Sequence, residues 1–401
     1  MLPILVIGGG VAGPVTAMAL QLAGFEPVVY EAHAPGPGQG SYLTVASNGI
    51  DALRAVGADG PVLAAGFPTP VNVLLSTTGR ELGRVSNGGT LADGTSAHTI
   101  RRPDLHAALR DEAARRRIAF EYGKRLVGAE AGGQGVVASF ADGSRAEGAL
   151  LVGADGIHSP TRRLIDPAAP SPRYVGLVNF GGYTPGMAPG EPGAWRMIFG
   201  KRAFFGSVAD DRGGTVWFAN VPRPATTRAE REATGEAAWL ARLAELFAGD
   251  RGPAAELIAA GRLELAGDNT HDLPRVPRWS RGPMVLVGDA AHAPSPTSGQ
   301  GASLAAEDAV VLARCLRDLP DVPSALAAYE AARRRRVERI VADAARAGGA
   351  KTPGPAGRVL RDLLLPLVFR FLVTERSRAW VYDHHIDWEA RETAGARSGK
   401  E

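Results

Sequence analysis

A glycine-rich turn between an apolar strand and a helix is the feature that most restricts how this chain can fold. An apolar run at 2–7 leads directly into GGGVAG at 8–13, and apolar residues then recur at helical spacing. A second apolar run, 27–30, ends at Glu31. Glycines at this spacing allow a tight turn, close approach of a pyrophosphate and close helix–strand packing, and the acid can accept hydrogen bonds from ribose hydroxyls. The pattern predicts a dinucleotide-binding βαβ unit.

The stretch 284–316 repeats this arrangement of strand, polar turn and helix. The apolar run 284–287 predicts a buried strand, and Asp289 follows at its carboxyl end, where ligands of open α/β sheets lie. Gly299, Gln300 and Gly301 then open a helix whose free N–H groups and dipole favour an anion. These features predict a ligand with hydroxyl groups at one end and negative charge nearby.

A third strand end carries another acid. The run 149–152 predicts a strand, and Asp155 follows it among glycines. Two such acids in one chain favour a single extended ligand. Arg102 precedes a predicted helix at 103–117, where Pro103 suits the first turn. The residues alone leave open whether Arg102 contacts a phosphate or flavin edge or is a simple surface arginine.

Three motifs carry a resemblance to a known family. The glycine turn with Glu31, GADGIHS at 153–159 and VGDAAHAPSPTSGQG at 287–301 together resemble the class A FAD-dependent monooxygenases, the para-hydroxybenzoate hydroxylase-like aromatic hydroxylases. Their order and spacing cover nearly the whole chain. The cofactor-binding residues that this resemblance implies are Gly8, Gly10, Val11, Ala12, Gly13, Glu31, Ala32, Arg102, Leu126, Asp155, Gly288, Asp289, Pro296, Gly299, Gln300, Gly301 and Ala302.

The resemblance also assigns roles to these residues. The glycine turn and Glu31 would hold the ADP half of FAD, and Arg102 matches the family's R-x-x-L arginine, which contacts the cofactor. Asp155 matches the DG motif, associated with FAD and NAD(P)H handling, and Asp289 the acid of the ribitol and pyrophosphate region. The helix start at 299–302 would aim its N–H groups at the flavin pyrimidine ring.

The chemistry that the resemblance implies belongs to the flavin. NAD(P)H would reduce a noncovalently held FAD, O2 would add to give a hydroperoxyflavin, and one oxygen atom would pass to an aromatic or polycyclic small molecule. No second nucleotide-binding βαβ unit is visible in the sequence, which matches a reductant that binds transiently. No residue is predicted to be catalytic with certainty.

The predicted fold class is α/β: a Rossmann-like FAD-binding domain with an inserted antiparallel-sheet substrate domain and C-terminal helices. We expect the FAD-binding domain at 1–70, 96–170 and 270–330, the substrate domain at 71–95 and 171–269, and a helical region at 331–401. Within these ranges we also expect a hairpin of 136–141 and 145–148 around Asp142-Gly143, and helices at 229–247 and 253–260. Alternating aromatic strands in the insertion give substrate candidates. These candidates are Phe180, Met197, Phe199, Phe205 and Trp217, and each is as compatible with a plain core position.

Other functions of the same fold remain open at this point. One is an FAD-dependent dehydrogenase or reductase, and another is a halogenase. Halogenases carry W-x-W-x-I-P, whereas residues 217–222 read WFANVP and match only the first tryptophan and the proline. A third alternative is a non-catalytic flavin-binding sensor.

Charge and composition exclude several partner classes. The formal net charge is +3, and the arginine runs at 115–117 and 333–336 have no interleaved aromatic residues, so we expect solvated helix faces rather than nucleic-acid binding. The single cysteine, Cys315, excludes an intrachain disulfide. The apolar stretch 359–373 contains charged residues and a proline, so a packed helix is expected there rather than stable membrane insertion. His98 and His292 are expected to be structural, no metal site is expected, and we expect a cytoplasmic monomer or homodimer.

Overall fold

The computed structural model describes residues 2–34, 36, 40–132, 135–349, 362, 364 and 375–392. The strands, in chain order, are β1 (Ile4–Ile7), β2 (Pro27–Glu31), β3 (Tyr42–Val45), β4 (Phe67–Pro68), β5 (Val71–Leu75), β6 (Glu81–Ser86), β7 (His98–Arg101), β8 (Ala119–Tyr122), β9 (Leu126–Gly132), β10 (Gly135–Phe140), β11 (Arg145–Gly148), β12 (Leu150–Gly153), β13 (Arg173–Thr184), β14 (Ala194–Phe199), β15 (Phe204–Ala209), β16 (Thr215–Pro222), β17 (Arg262–Asp272) and β18 (Met284–Leu286).

The helices alternate with these strands in the first part of the chain and dominate the last part. In chain order they are α1 (Ala12–Leu22), α2 (Ser47–Ala55), α3 (Asp59–Ala65), α4 (Arg102–Arg115), α5 (Pro160–Ile165), α6 (Arg228–Ala233), α7 (Glu236–Phe247), α8 (Ala254–Ala260), α9 (Gly301–Asp318), α10 (Val322–Gly349) and α11 (Glu375–Tyr382).

A parallel sheet of order β18-β12-β1-β2-β8 forms the centre of the part of the molecule that the sequence predicts to bind the cofactor, which we call the cofactor half. Its middle strands are continuous apolar runs, and β1 and β12 are buried at every position, because helices cover a parallel sheet on its faces. The fully buried Leu5 of β1, Met18 of α1 and Leu312 of α9 belong to one core cluster. The predicted Rossmann-like α/β fold is confirmed, including the βαβ unit at the start of the chain.

The second large sheet has the order β17-β13-β16-β15-β14-β5-β6. Its neighbouring strands are antiparallel apart from β14 and β5, which run parallel. Helices α7 and α8 pack on one face, where Trp239 and Phe247 join the sheet's core cluster. The small sheet β3-β7-β4 lies towards the other face, because Trp195 Nε1 of β14 donates to Thr99 Oγ1 of β7 at 2.9 Å. This confirms the predicted antiparallel sheet in addition to the parallel sheet.

Two helical predictions need correction. The sequence predicts one helix over 229–247, but the structure has two, α6 and α7, because Gly235 takes extended dihedrals and starts a new helix. The predicted solvated face at 333–336 is also wrong in part. Arg333 is 1% exposed, and Arg336 bonds Glu307 and the backbone of the C-terminal segment. The helix predicted at 359–373 lies outside the described residues apart from the single positions 362 and 364.

The C-terminal residues 380–392 lie across α2, α9 and α10. Ser47 Oγ donates to the Tyr382 carbonyl at 2.8 Å, and Arg317 Nη1 donates to the Trp388 carbonyl at 2.6 Å. Arg336 donates to two carbonyls of the same segment. The segment 380–392 is therefore fixed to helices of the cofactor half.

Two further points concern the described part of the chain. None of its helices is long and apolar enough to cross a membrane. None of its His, Cys, Asp and Glu side chains form a group of three or more that could hold a metal ion.

Candidate functional site

The predicted site residues come together at one edge of the parallel sheet. Ile7 pairs with Gly153 and Gly153 with Leu286, so β1, β12 and β18 end at the same level. The glycine turn, Asp155 and Asp289 follow these ends directly. Because carboxyl ends of parallel strands share an edge, the three motifs face a common crevice, as an extended ligand requires.

The glycine turn is shaped by close backbone contacts. Gly8 has φ +110°, and a Cβ there would lie 2.4 Å from the Ala154 carbonyl oxygen. A Cβ on Gly13 would lie 1.8 Å from the Gly8 oxygen, since α1 packs directly on the turn. A Cβ on Gly10 would meet nothing within 4 Å. Two glycines are thus needed for the fold, whereas the open space at Gly10 leaves room for a ligand beside the start of α1, where Val11 and Ala12 lie.

Glu31 closes one end of the crevice. Its Oε2 accepts from the Gly9 N–H at 2.6 Å, and its Oε1 accepts from the His33 N–H at 2.9 Å. The side chain is 22% exposed, with Ala32 beside it half-buried. The carboxylate is thus anchored to the glycine turn and still faces solvent, where ribose hydroxyls can reach it.

The predicted Leu126 is buried in the core at the start of β9.

Asp155 has a local structural role that the sequence prediction missed. Its Oδ2 accepts from the N–H and the hydroxyl of Thr161, at 3.0 and 2.6 Å, which ties the loop to the first turn of α5. Its Oδ1 is buried and has no hydrogen-bond partner among the described residues. Burial raises the pKa of this carboxyl. A donor from a bound ligand would satisfy the remaining oxygen.

Asp289 and Arg102 interact electrostatically. Burial raises the pKa of Asp289, and the charges of His292 and Arg102 oppose this rise. The Arg102 guanidinium acts in the same way on Asp268, whose pKa burial also raises. Arg101, in contrast, pairs with Glu264 at 3.2 Å. Of the two arginines, Arg102 is therefore the one whose charge acts on Asp289 and Asp268.

The segment before α9 forms the wall of the crevice. Pro296 is exposed and starts a single 3-10 turn, and Gly299 at φ +62° ends it in the left-handed region. Gln300 is 2% exposed, and its side chain turns inward to Asn48. A Cβ on Gly301 would meet only Asp289 Oδ1, at 3.8 Å. The first-turn N–H groups of Gly301 and Ala302, which a helix leaves without intrahelical partners, start beside Asp289. Gly288 adjoins Ala305, one turn further along α9.

The five predicted substrate residues separate onto two faces of the seven-stranded sheet. Phe180, Phe205 and Trp217 lie in the cluster beneath α7 and α8, where Phe180 contacts Trp239 with ring centroids 5.1 Å apart. Met197 packs on the opposite face with Trp195 and Phe218, and Phe199 contacts Phe204 on that face. The structure does not bring the five together, because neighbouring strand residues point to opposite sides.

The opposite face forms a continuous grid through cross-strand pairing. Met197 pairs with Gly206, Gly206 with Phe218, and Phe218 with Gly181. The next row holds Phe199, Phe204, Asn220 and Asn179. A Cβ on Gly181 would fall 2.0 Å from Ser41 Oγ, at the start of β3, so this face looks towards the small sheet that leads to Arg102. We name this grid the aromatic face.

Sequence reasoning missed several polar residues near the crevice. His106 lies one helical turn after Arg102, and burial together with the Arg102 charge lowers its pKa to about 4. Asn48, Glu307 and Asp308 are buried and polar, at 1%, 0% and 0% exposure. Two adjacent acids inside the otherwise apolar LAAEDAVVLA of α9 were the available signal, because unpaired acids do not occupy a buried face.

Comparison with known proteins gives one family and several close relatives. The FAD binding domain family matches residues 1–344. An aurachin C monooxygenase/isomerase of Stigmatella aurantiaca is 32% identical over 349 residues, which are 86% of this chain and 89% of that protein. An FAD-dependent urate hydroxylase of Klebsiella pneumoniae is 32% identical over 350 residues, 84% of this chain and 87% of the other. The structure of Klebsiella pneumoniae HpxO with FAD and uric acid superposes with a TM-score of 0.79 at 30% identity, and covers 92% of this chain and 94% of that one.

Proposed function

We propose a mode of action from one premise: this chain belongs to the FAD binding domain family, among the FAD-dependent aromatic hydroxylases. It is an FAD-dependent monooxygenase, and its relatives act on aromatic small molecules. The residue assignments rest on one observation: the glycine turn, the Asp155 motif and the Asp289 motif lie at the same edge of the parallel sheet. The identity of the substrate and of the residues that hold it is the proposed part.

The crevice fits FAD by its own geometry. Open space at Gly10 lies beside the start of α1, where a pyrophosphate gains from the helix dipole. We propose that Glu31 accepts from ribose hydroxyls and that Asp289 and Asp155 Oδ1 accept from further donors of the ligand. The anchored Glu31 carboxylate and the buried, unpaired Asp155 oxygen support this assignment. We propose that Arg102 offsets the phosphate charge from the other wall. FAD, once bound, supplies the electron transfer and oxygen activation that no side chain provides.

The protein's own residues orient the cofactor, shield it from water and stabilise the charge that develops on it. We propose that the N–H groups at Gly301 and Ala302 stabilise negative charge that develops on the pyrimidine side of the cofactor. Asp289 holds the adjoining hydroxyls and fixes the cofactor's orientation. NAD(P)H, the reductant typical of the family, and O2 are the proposed co-substrates, and the reductant binds only transiently.

We propose that the aromatic face holds the substrate. Met197, Phe199, Phe204 and Phe218 give an apolar surface that excludes water and stacks on a planar ring. Asn220 Nδ2 donates to Asn179 Oδ1 at 2.5 Å, so an amide pair adjoins the phenylalanines. A planar aromatic molecule with polar edge groups matches this surface. Met197 and Phe199 are retained from the sequence prediction, and Phe204 and Phe218 take the places of the residues beneath α7 and α8.

A substrate screen tests this proposal. Purified protein is expected to be yellow, to release its FAD on acid precipitation, and to oxidise NADH or NADPH faster when a substrate is present. Uric acid, aurachin C, 6-hydroxynicotinate and 3-amino-4-hydroxybenzoate are the first probes, since relatives are named for them or for their hydroxylation. The product should be heavier than the substrate by one oxygen atom. A product that lost hydrogen without gaining oxygen would indicate a dehydrogenase instead.

A further inference from the structure

Two buried acids, Glu307 and Asp308, lie side by side in α9 and are linked to the two ends of the flavin-loop segment 288–300, Asp308 directly and Glu307 through Asn48. Asp308 Oδ2 accepts from the Gly288 N–H at 2.9 Å and lies 2.6 Å from His292 Nε2. These partners flank Asp289, one residue before it and three after it. One carboxylate oxygen therefore fixes the turn that carries the site acid.

Glu307 reaches the other end of the segment through Asn48. The Asn48 amide nitrogen donates to Glu307 Oε1 and also to Gln300 Oε1, at 2.5 and 3.0 Å. Gln300 immediately precedes Gly301, the first residue of α9. The two hydrogens of one amide thus link the start of the helix to the α9 carboxylate.

Two arginines of α10 hold the carboxylates in place. Arg333 Nε donates to Asp308 at 2.7 Å and its Nη1 donates to Glu307, while Arg336 donates to both oxygens of Glu307. Burial raises the pKa of both acids, but the positive charges outweigh it and hold each pKa at about 2. Both stay ionised at neutral pH and can accept from every donor around them.

Stability alone is a weak reason for such a group. Taking several charges out of water costs free energy, and well-packed apolar side chains in place of a buried ion pair are often equally stable or more so. What apolar side chains cannot do is fix backbone N–H groups and an amide at defined positions. The contacts of this network end on the C-terminal segment through Arg336, and on the flavin loop through Asp308 and Asn48. The contacts to the flavin loop assign Asp308 and Asn48 a positional role.

We propose that Asp308 and Asn48 are positioning residues for the flavin: together with Glu307 they set the Asp289 turn and the α9 N-terminus relative to the cofactor. The inference rests on the FAD site described under the proposed function, but not on the substrate or on oxygen transfer. It makes the network a determinant of FAD affinity and flavin potential, since both depend on where the helix N–H groups point.

The test compares three variants as FAD-bound protein. Asp308→Asn removes a charge and cannot serve Gly288, His292 and Arg333 together, because an amide has one acceptor oxygen. Asn48→Ala cuts the link to Gln300 while leaving Glu307 paired with both arginines, so it carries the test if Asp308→Asn is not recovered folded. Asp318→Asn is the matched control, because Asp318 is an ion-paired acid with a 1% exposed side chain at the far end of α9.

The expected results distinguish a role in positioning the flavin from a role in folding stability alone. Asp308→Asn and Asn48→Ala should each weaken FAD binding about tenfold and make the flavin midpoint potential more negative, because reduced flavin loses aligned N–H groups. Asp318→Asn should lower the unfolding temperature yet leave affinity and potential as in the wild type. The proposal is overturned if the first two variants lower only the unfolding temperature, or if the control shifts the potential equally. Titration and potential need no substrate, so a failed oxygen transfer is a separate result.

Discussion

The glycines of the first turn differ in what an added methyl group would meet. At Gly13 it would lie 1.8 Å from a backbone oxygen, whereas at Gly10 it would enter open space. Gly13→Ala should therefore prevent normal folding, and Gly10→Ala should fold but narrow the space for the pyrophosphate. We expect Gly10→Ala to bind FAD about tenfold more weakly. Gly60→Ala, also in open space but far along the chain in α3, is the control, and flavin titration with thermal unfolding distinguishes the cases.

The carboxylates of Glu31 and Asp289 are expected to hold FAD hydroxyls. A lost hydrogen bond to a charged group costs about 1.5–3 kcal/mol, so Glu31→Ala and Asp289→Ala should each weaken FAD binding by about tenfold or more. The exposed Glu130→Gln in β9 serves as control. Equal flavin titration curves for all four proteins would remove these two residues from the site.

At the scale of elements, strand β16 contributes residues to both faces of the large sheet, one in the core beneath α7 and α8 and the other proposed to contact the substrate. Trp217 is 0% exposed beneath α7 and α8, and its neighbour Phe218 lies on the aromatic face. Trp217→Ala should cost roughly 3–5 kcal/mol of unfolding free energy. Phe218→Ala should cost less but raise KM for the aromatic substrate severalfold, because a stacking surface is removed. Steady-state kinetics with urea unfolding tests this, and an unchanged KM for Phe218→Ala would place the substrate elsewhere.

Helix α9 and the C-terminal segment should make stability depend on pH. The pKa values of Glu307 and Asp308 fall to about 2 in the fold, from ordinary values of 4.5 and 3.8. Their stabilisation is complete above about pH 4.5 and is lost as pH falls towards 2, by about 3 kcal/mol for Glu307 and about 2 kcal/mol for Asp308. Burial lowers the pKa of His384 to about 4, so the unfolded chain takes up this proton first and stability declines already between pH 6.5 and 4.

Urea unfolding at pH 7, 5 and 3 measures both parts of this profile. His384 is 35% exposed, so its share is discounted to on the order of 1 kcal/mol. His384→Asn should flatten the profile between pH 6.5 and 4 and leave the steeper loss below pH 4.5. A stability that rises on acidification from pH 7 to 5 would contradict the sign of the His384 effect, and one that rises from pH 5 to 3 would contradict the sign of the carboxylate effect.

At the scale of the whole molecule, local patterns predicted what depends on local sequence. The βαβ unit, the strand before Asp289 and the hairpin at 136–148 follow from apolar periodicity and turn residues, and the structure has them. Which face of the large sheet meets the cofactor half depends on how distant segments pack, so Phe180 and Phe218 could not be sorted from sequence. Arg333 was misjudged for the same reason, since its partners lie 25 and 26 positions away in α9. The predicted domain boundaries and cofactor contacts stay predictions.

The final prediction concerns the whole molecule, because oxygen transfer needs the cofactor crevice and the aromatic face together. In the described part of the chain no acid and histidine group is arranged for a metal, and Cys315 is buried with its pKa raised to about 12, so it is not a ready nucleophile. We expect the aromatic face to shield the reacting centre from water. With the substrate found by the screen, labelled dioxygen should place its label in the product, and labelled water should not. Added chloride or bromide should leave the product unchanged. Label that arrives from water, or a halogenated product, would move this chain to a different reaction of the same fold.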